Sequence, residues 1–471
     1  MSTRDQTPET SPADQTVEAD VATSGTTRVE AEDQAQRAIA EEEQSGTPAR
    51  KRGFSRRQLF GYLGLGAATA AAGAAGGAAV AANKTAETVR QERHTLTYDF
   101  YGEHQAGIVT PMQDQLHFAA FDLTENATRE QMIALLKKWT SAAERMTKGE
   151  ETTEAGARGV SRLAPPDDTG EALDLGASGL SITFGVGPTF FTQADGKDRL
   201  GIADKKPAEL EDLPVFKFDF IDETISRGAV AIQACANDPQ VAIHAIRNLT
   251  RMGFGTVQIK WAQLGFGRSS ASSVSEETPR NLFGFKDGTN NIKTDETDDL
   301  DKWVWVADSD HAWLEGGSYL VVRKINMMIE AWDRTKLEEQ QTVFGRSKIE
   351  GAPLSGGTEH SDIDFDITDA AGEPLVPADA HVRLAHPDFN DGVRINRRAY
   401  NYVDGANDLG QLSAGLFFTA YTSDPANFTK LQTSLADDAL NEYIRHISSS
   451  VFAIPRGVRE GEYLLQDLFE G

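Results

Sequence analysis

The amino-acid sequence predicts an α+β protein built from two similar units, and three observations carry that reading. From Asn83 onward, strand-like runs alternate with apolar residues at helical spacing, and no period is short enough for a solenoid. The order of strands and helices suggests an α+β sandwich with antiparallel pairings. The set occurs twice, in stretches of about 190 residues each.

In the first set, residues 115–123 read as a strand, and residues 128–146 as a helix with Met132, Leu135, Leu136, Trp139, Ala143 and Met146 on one face. A loop rich in Gly, Pro and Asp spans 150–179, followed by strands at 180–186 and 228–234. Asn237-Asp238-Pro239 opens a helix over 239–252, because an Asp cap and a Pro in the first turn suit unpaired N–H groups there. Residues 256–264 alternate as a strand. The polar stretch 269–280 has no apolar period and reads as a loop or interdomain crossing. The second set has a strand at 317–325, a short helix at 334–344, a strand at 415–421 and helices over about 424–447.

The chain has 471 residues and a formal charge of −26, which excludes a generic nucleic-acid binder, since phosphates would be repelled. A single cysteine, Cys235, rules out an intramolecular disulfide framework or a thiolate zinc cluster. The charge is unevenly spread. Residues 1–50 carry 11 acids and four arginines among Ser, Thr, Gln and Ala, too little apolar surface to offset the entropy of ordering, so this leader is expected to be disordered. Residues 51–82 carry Lys51, Arg52, Arg56 and Arg57 and no acid, then an uncharged Ala/Gly run from Leu59 to Ala82, leaving −23 on the rest.

The run S-R-R-Q-L-F-G from Ser55, with its weakly apolar core and the small residues Ala79-Val80-Ala81, resembles a twin-arginine export signal. Twenty-four uncharged residues could also span a bilayer as an anchor, but Ala and Gly contribute little transfer energy, which favours passage and cleavage. A folded-protein exporter is used when a cofactor must be inserted first. An extracytoplasmic cofactor enzyme is therefore the leading expectation, in periplasm, cell envelope or medium.

Two clusters bear chemistry. In F-G-F-K-D-G-T-N-N (residues 283–291), Gly284 and Gly288 flank Asp287, so the backbone can turn sharply and set a carboxylate in a confined place. Between Asp379 and Tyr402 lie two histidines and four arginines. One neutral imidazole suffices as a metal ligand where a porphyrin supplies the remaining donors, and arginine can hold propionates or oppose charge on bound peroxide. Read singly, each cluster is an ordinary turn or a structural histidine.

In this order, G-F-K-D-G, A-H-V-R-L-A and R-R-A-Y-N-Y resemble the dye-decolourising (DyP-type) haem peroxidase family. I-Q-A-C-A-N-D-P-Q-V-A (232–242), G-G-S-Y-L-V-V-R-K-I (316–325), F-G-R-S-K (344–348) and the G-L-F-F strand add to the resemblance, which runs from about Gly102 to near the C-terminus. Within the family it is similar to the exported branch that includes the bacterial deferrochelatase/peroxidase of iron-uptake systems.

The resemblance implies two ferredoxin-like domains of the dimeric α+β barrel type, at 96–285 and 286–471, with haem b in the second. It implies His381 as the iron ligand, Asp287 as distal acid and Arg397 as distal arginine. Gly288, Thr289, Asn290, His386, Pro387 and Asp388 would border the haem, and Leu416 and Phe418, two apart on a strand, would form an apolar wall. An Asp or Glu on the other imidazole nitrogen of His381 would strengthen the ligand. His386, Asn396 and Ala399 depart from the family's usual small polar, apolar and glycine residues.

The implied reaction is oxidation of dyes, phenols or other reductants by hydrogen peroxide, with Asp287 moving the peroxide proton and Arg397 stabilising charge. The alternative is a deferrochelatase that removes iron from haem and leaves protoporphyrin IX intact, and a passive haem store is a third reading. Expected partners are peroxide, a small reductant, the twin-arginine export machinery, an iron-uptake system and further copies of the chain in a homo-oligomer. Trp303, Trp305, Trp313, Tyr400 and Tyr402 are candidate electron-relay residues, against their more ordinary role as core aromatics.

Overall fold

The computed structural model describes residues 91–471, apart from Ala194, residues 271–275 and Asp308. The acidic leader (1–50) and the twin-arginine segment (51–82) lie outside the described residues. Among the described residues, no helix is long and apolar enough to cross a membrane.

The first half runs β1 (Gln115–Leu123), α1 (Arg129–Thr147), β2 (Ser181–Val186), β3 (Val230–Ala236), α2 (Pro239–Met252) and β4 (Val257–Arg268). After α3 (Thr297–Trp303), the second half runs β5 (Ser318–Met327), α4 (Leu337–Phe344), α5 (His381–Leu384), β6 (Asn396–Arg397), β7 (Tyr400–Ala406), β8 (Leu412–Thr422), α6 (Pro425–Ser434) and β9 (Ile444–Ile454). The first half pairs in the order β2-β3-β1-β4 and the second in the order β7-β8-β5-β9. These are the same arrangement, that of a ferredoxin-like unit with its helices on one face. The halves join through β4–β7 and β2–β9, and with β5–β8 paired the ring closes into an eight-stranded antiparallel barrel.

Period-two alternation sorts the strands. Leu116, Phe118 and Ala120 of β1 enter the barrel core with Trp261, Phe417, Tyr421 and Phe452, while Ala119 and Phe121 face outward onto the core beneath α1 and α2. Helix α1 starts at a capping box, in which Thr128 Oγ1 accepts from the Gln131 N–H at 3.3 Å and Gln131 Oε1 accepts from the Thr128 N–H at 3.0 Å. Helices α2 and α6 occupy matching places in the two halves and open on the same device, Asp238-Pro239 and Asp424-Pro425, each carboxylate accepting a first-turn N–H at 2.8 Å.

The structure corrects one element expectation and adds another. Of the helices expected over about 424–447, α6 ends at Ser434 and short 3-10 turns follow at Leu435–Asp437 and Ala439–Glu442, but Ile444–Ile454 is strand β9. Its buried alternate positions are Ile444, His446, Ser448 and Ser450, so small polar residues hide the strand period that larger apolar ones would show. The R-R-A-Y-N-Y run contributes strands β6 and β7.

Candidate active site

Strand alternation in the second half builds the floor of a cavity of about 450 Å³. Arg323, Ile325 and Met327 of β5 stand beside Phe418 and Leu416 of β8, and His446 and Ile444 of β9 continue the same row. Leu416 and Phe418 thus share the cavity face, as their spacing predicts. The loop 287–290 and helix α5 supply the polar walls.

Asp287 is held in place from three directions. Its N–H donates to the Pro279 carbonyl at 2.9 Å. Arg397 Nη1 donates to Oδ1 at 2.8 Å and Asn281 Nδ2 to Oδ2 at 3.2 Å. The flanking glycines adopt φ of +83° (Gly284) and +96° (Gly288), so the sharp turn read from the sequence is present. Arg397 is fixed by Asn291, whose Oδ1 accepts the Arg397 N–H at 2.7 Å and whose Nδ2 donates to its carbonyl at 2.9 Å. The next residue, Arg398, lies just past β6 and points the other way. Its Nη1 donates to the Thr110 carbonyl at 2.6 Å and its Nη2 to Gln113, and it is 1% exposed.

His381 opens α5 and faces the same cavity. Its Nδ1 donates to Asp438 Oδ2 at 2.6 Å, while Asp438 Oδ1 accepts the Leu440 N–H at 2.8 Å and caps the turn that follows. Burial alone would lower the His381 pKa, but the charge and hydrogen bond of Asp438 outweigh it and raise the pKa above the usual imidazole value. The carboxylate fixes the ring tautomer and leaves Nε2 as the basic nitrogen.

Gly288, Thr289, Asn290, His386 and Pro387 line the cavity with these groups. Asp388 does not, its side chain being 74% exposed at the rim. His386 Nδ1 accepts the Asp388 N–H at 3.3 Å, so the unexpected imidazole serves as a local turn cap. Burial lowers its pKa.

Two family models match the chain: "Dyp-type peroxidase, N-terminal" over residues 105–267 and "Dyp-type peroxidase, C-terminal" over residues 278–459. The chain belongs to the Dyp-type peroxidase family. It is 38% identical over 380 residues to the dye-decolorizing peroxidase of Thermobifida fusca, covering 78% of this chain and 84% of that one. It is 37% identical over 379 residues to the deferrochelatase of Yersinia pseudotuberculosis, covering 79% and 84%. Among solved structures, a DyP-type peroxidase from Streptomyces coelicolor matches at 39% identity and TM-score 0.73, covering 81% of this chain and 99% of that one. Ferric DtpA from Streptomyces lividans matches at the same identity, score and coverage.

The residues of this Dyp-type peroxidase suit a haem. A carboxylate-backed imidazole offers one nitrogen to the cavity, the floor is apolar at Ile325, Met327, Leu416 and Phe418, and Arg346 and Arg397 supply cationic groups on its walls. Sequence reasoning did not name Asp438, Asn281, Asn291, Arg323 or Glu359. Arg323 lies inside the G-G-S-Y-L-V-V-R-K-I run and pairs with buried Asp219. Glu359, from the 354–380 loop, takes Lys286 and the Thr289 hydroxyl. Of the candidate relay aromatics, Trp305, Tyr400 and Tyr402 belong to the barrel core, Trp303 packs against it and Trp313 lies in the outer core, with none on the cavity wall.

Proposed function

We propose that this Dyp-type peroxidase oxidises dyes, phenols and similar small reductants with hydrogen peroxide, using haem b ligated by His381 Nε2. The observation that carries the reading is one cavity shared by two built pairs, Asp287 with Arg397 and His381 with Asp438. Bound haem supplies the redox-active iron that peroxide oxidises. Asp287 accepts a proton from one peroxide oxygen and delivers it to the leaving one, which departs as water. Arg397 offsets the negative charge that develops as the O–O bond breaks. Asn281 keeps the Asp287 carboxylate oriented, and Asp438 keeps Nε2 directed at the iron position. Gly288, Thr289, Asn290, His386 and Pro387 would border the cofactor. Two reductant molecules each give up one electron, which balances the two-electron reduction of peroxide to water.

A second reading is favoured by one observation: relatives named peroxidase and deferrochelatase match almost equally, at 38% and 37%. In that reading haem is the substrate, iron leaves, protoporphyrin IX remains intact, and the protein serves an iron-uptake system. Two assays on purified protein separate the readings: dye bleaching with peroxide, and porphyrin fluorescence after incubation with haem. Bleaching without fluorescence supports the peroxidase, and fluorescence without bleaching supports iron removal. A Soret band abolished by His381→Ala supports the ligand, and its survival would overturn it. The twin-arginine run before the family match supports export of the folded protein by that route.

A further inference from the structure

Away from the cavity, the irregular segment 150–171 lies against α2. That helix meets it with His244, Asn248 and Arg251, four and seven residues on from the first and so on one face. At the centre, Asp168 is 1% exposed and accepts the N–H groups of Thr152 at 2.9 Å and Gly170 at 2.7 Å. His244 Nε2 stands 2.8 Å from Asp168 Oδ1.

Glu171 joins this pair in an arrangement that its protein neighbours leave incomplete. Both of its carboxylate oxygens are buried and neither makes a hydrogen bond of good geometry; burial would raise its pKa, but the nearby Thr169 hydroxyl, its own N–H, His244 and Arg247 lower it. Arg247 Nη1 approaches Oε1 to 3.2 Å outside hydrogen-bond geometry, and the Arg247 side chain is 59% exposed. A buried carboxylate short of donors is costly, and Glu171 also stands beside the charge of Asp168, which has its own donors. A cation between them removes that cost.

We infer that Asp168, Glu171 and His244 form a site for one divalent cation of the zinc class, on the outer side of the first half of the barrel. Among the described residues, this is the one group of three His, Cys, Asp or Glu whose ligand atoms all lie within 4.8 Å of one another. An ion equidistant from three atoms so spaced sits at most about 2.8 Å from each, against ~2.0–2.2 Å for zinc ligation, so closing the shell takes under ~1 Å of movement. One imidazole with two carboxylates suits zinc, whereas calcium and magnesium favour shells of oxygen alone. Bound there, the ion ties the 150–171 segment to α2 across 76 residues of chain, with water completing its shell. None of the three residues lines the haem cavity, so peroxide turnover does not depend on the ion.

The experiment is zinc uptake by haem-loaded protein after chelation and dialysis. Wild type should bind one equivalent more than Glu171→Gln or His244→Gln, with at least tenfold weaker zinc affinity at this site in Glu171→Gln. Zinc should slow amide hydrogen exchange over 150–171 in wild type alone, and dye bleaching should be equal in wild type and Glu171→Gln. No zinc uptake by wild type, or equal uptake by wild type and the variants, overturns the site. If His244→Gln does not fold, Glu171→Gln carries the comparison alone, because it loses a charge and no hydrogen bond from the carboxylate.

Discussion

Asp287 and Arg397 meet at 2.8 Å, and each is also held by an asparagine that takes no charge. This division makes their variants informative. Asp287→Ala is expected to lower kcat/KM for peroxide by roughly 10²–10⁴-fold, the usual worth of a positioned proton carrier, while the Soret band stays. Stopped-flow mixing with peroxide measures it, and an unchanged rate would remove Asp287 from the reaction. Asp438→Asn keeps a partner for His381 Nδ1 but deletes the charge that raises the imidazole pKa. Haem affinity should fall about 10–100-fold and the iron reduction potential should rise, as spectroelectrochemistry would record. A potential equal to wild type would mean that the carboxylate acts through geometry alone. The proposed ligand His381 and the proposed acid Asp287 could be named at this scale because each sits in a motif with distinctive neighbours. Asp438 was not, since it lies 57 residues from His381 and only the fold brings them together.

Among the elements, the shared Asp-Pro openings of α2 and α6 give a matched pair of tests. Asp424→Ala and Asp238→Ala each remove one cap bond, and each is expected to cost about 1 kcal/mol in urea unfolding. A loss below a few tenths in both would show that proline alone sets these helix starts. Such openings were readable directly, and the α2 bounds of 239–252 coincide with the sequence reading, as do those of β1 at 115–123. Strand β9 was hidden because a register shift against Lys324 and Ile325 of β5 breaks its alternation, with Ile444 and His446 facing the cavity and the small polar Ser448 and Ser450 buried beyond the shift. The closed ring was likewise beyond periodicity, since strand order is set by pairing across the whole chain.

For the whole molecule, two buried histidines predict how stability follows pH. Burial, aided by Arg323, lowers the His446 pKa to about 3, and burial lowers that of His117 to about 4. Both values lie below the ~6.5 of an unfolded histidine, so between those limits the unfolded chain binds more protons. Their contribution is complete above about pH 6.5 and is lost as pH falls toward 4, at up to ~1.4 kcal/mol per unit for each. Urea midpoints at pH 7, 6 and 5 should decline accordingly, and His446→Gln should flatten the slope. An unchanged slope in that variant would show that the ring is already charged in the fold. The −23 carried by residues 83–471 predicts that added salt slows turnover of cationic dyes more than of anionic ones. Equal salt effects would show that the acidic surface does not steer reductants.

The step from Arg397 to Arg398 bears on what a finished cofactor socket requires. Every cavity-lining residue falls between 281 and 446, within the second half. Yet the strand that presents Arg397 is pinned by Arg398 reaching Thr110 and Gln113, and the cavity's Arg323 is paired with Asp219, all from the first half. The β5 seat of Arg323 is in turn completed by its pairing with β9. A cavity with Arg323 and Arg397 both in place therefore requires the two halves to have folded against each other, so the second half alone would not present a finished socket.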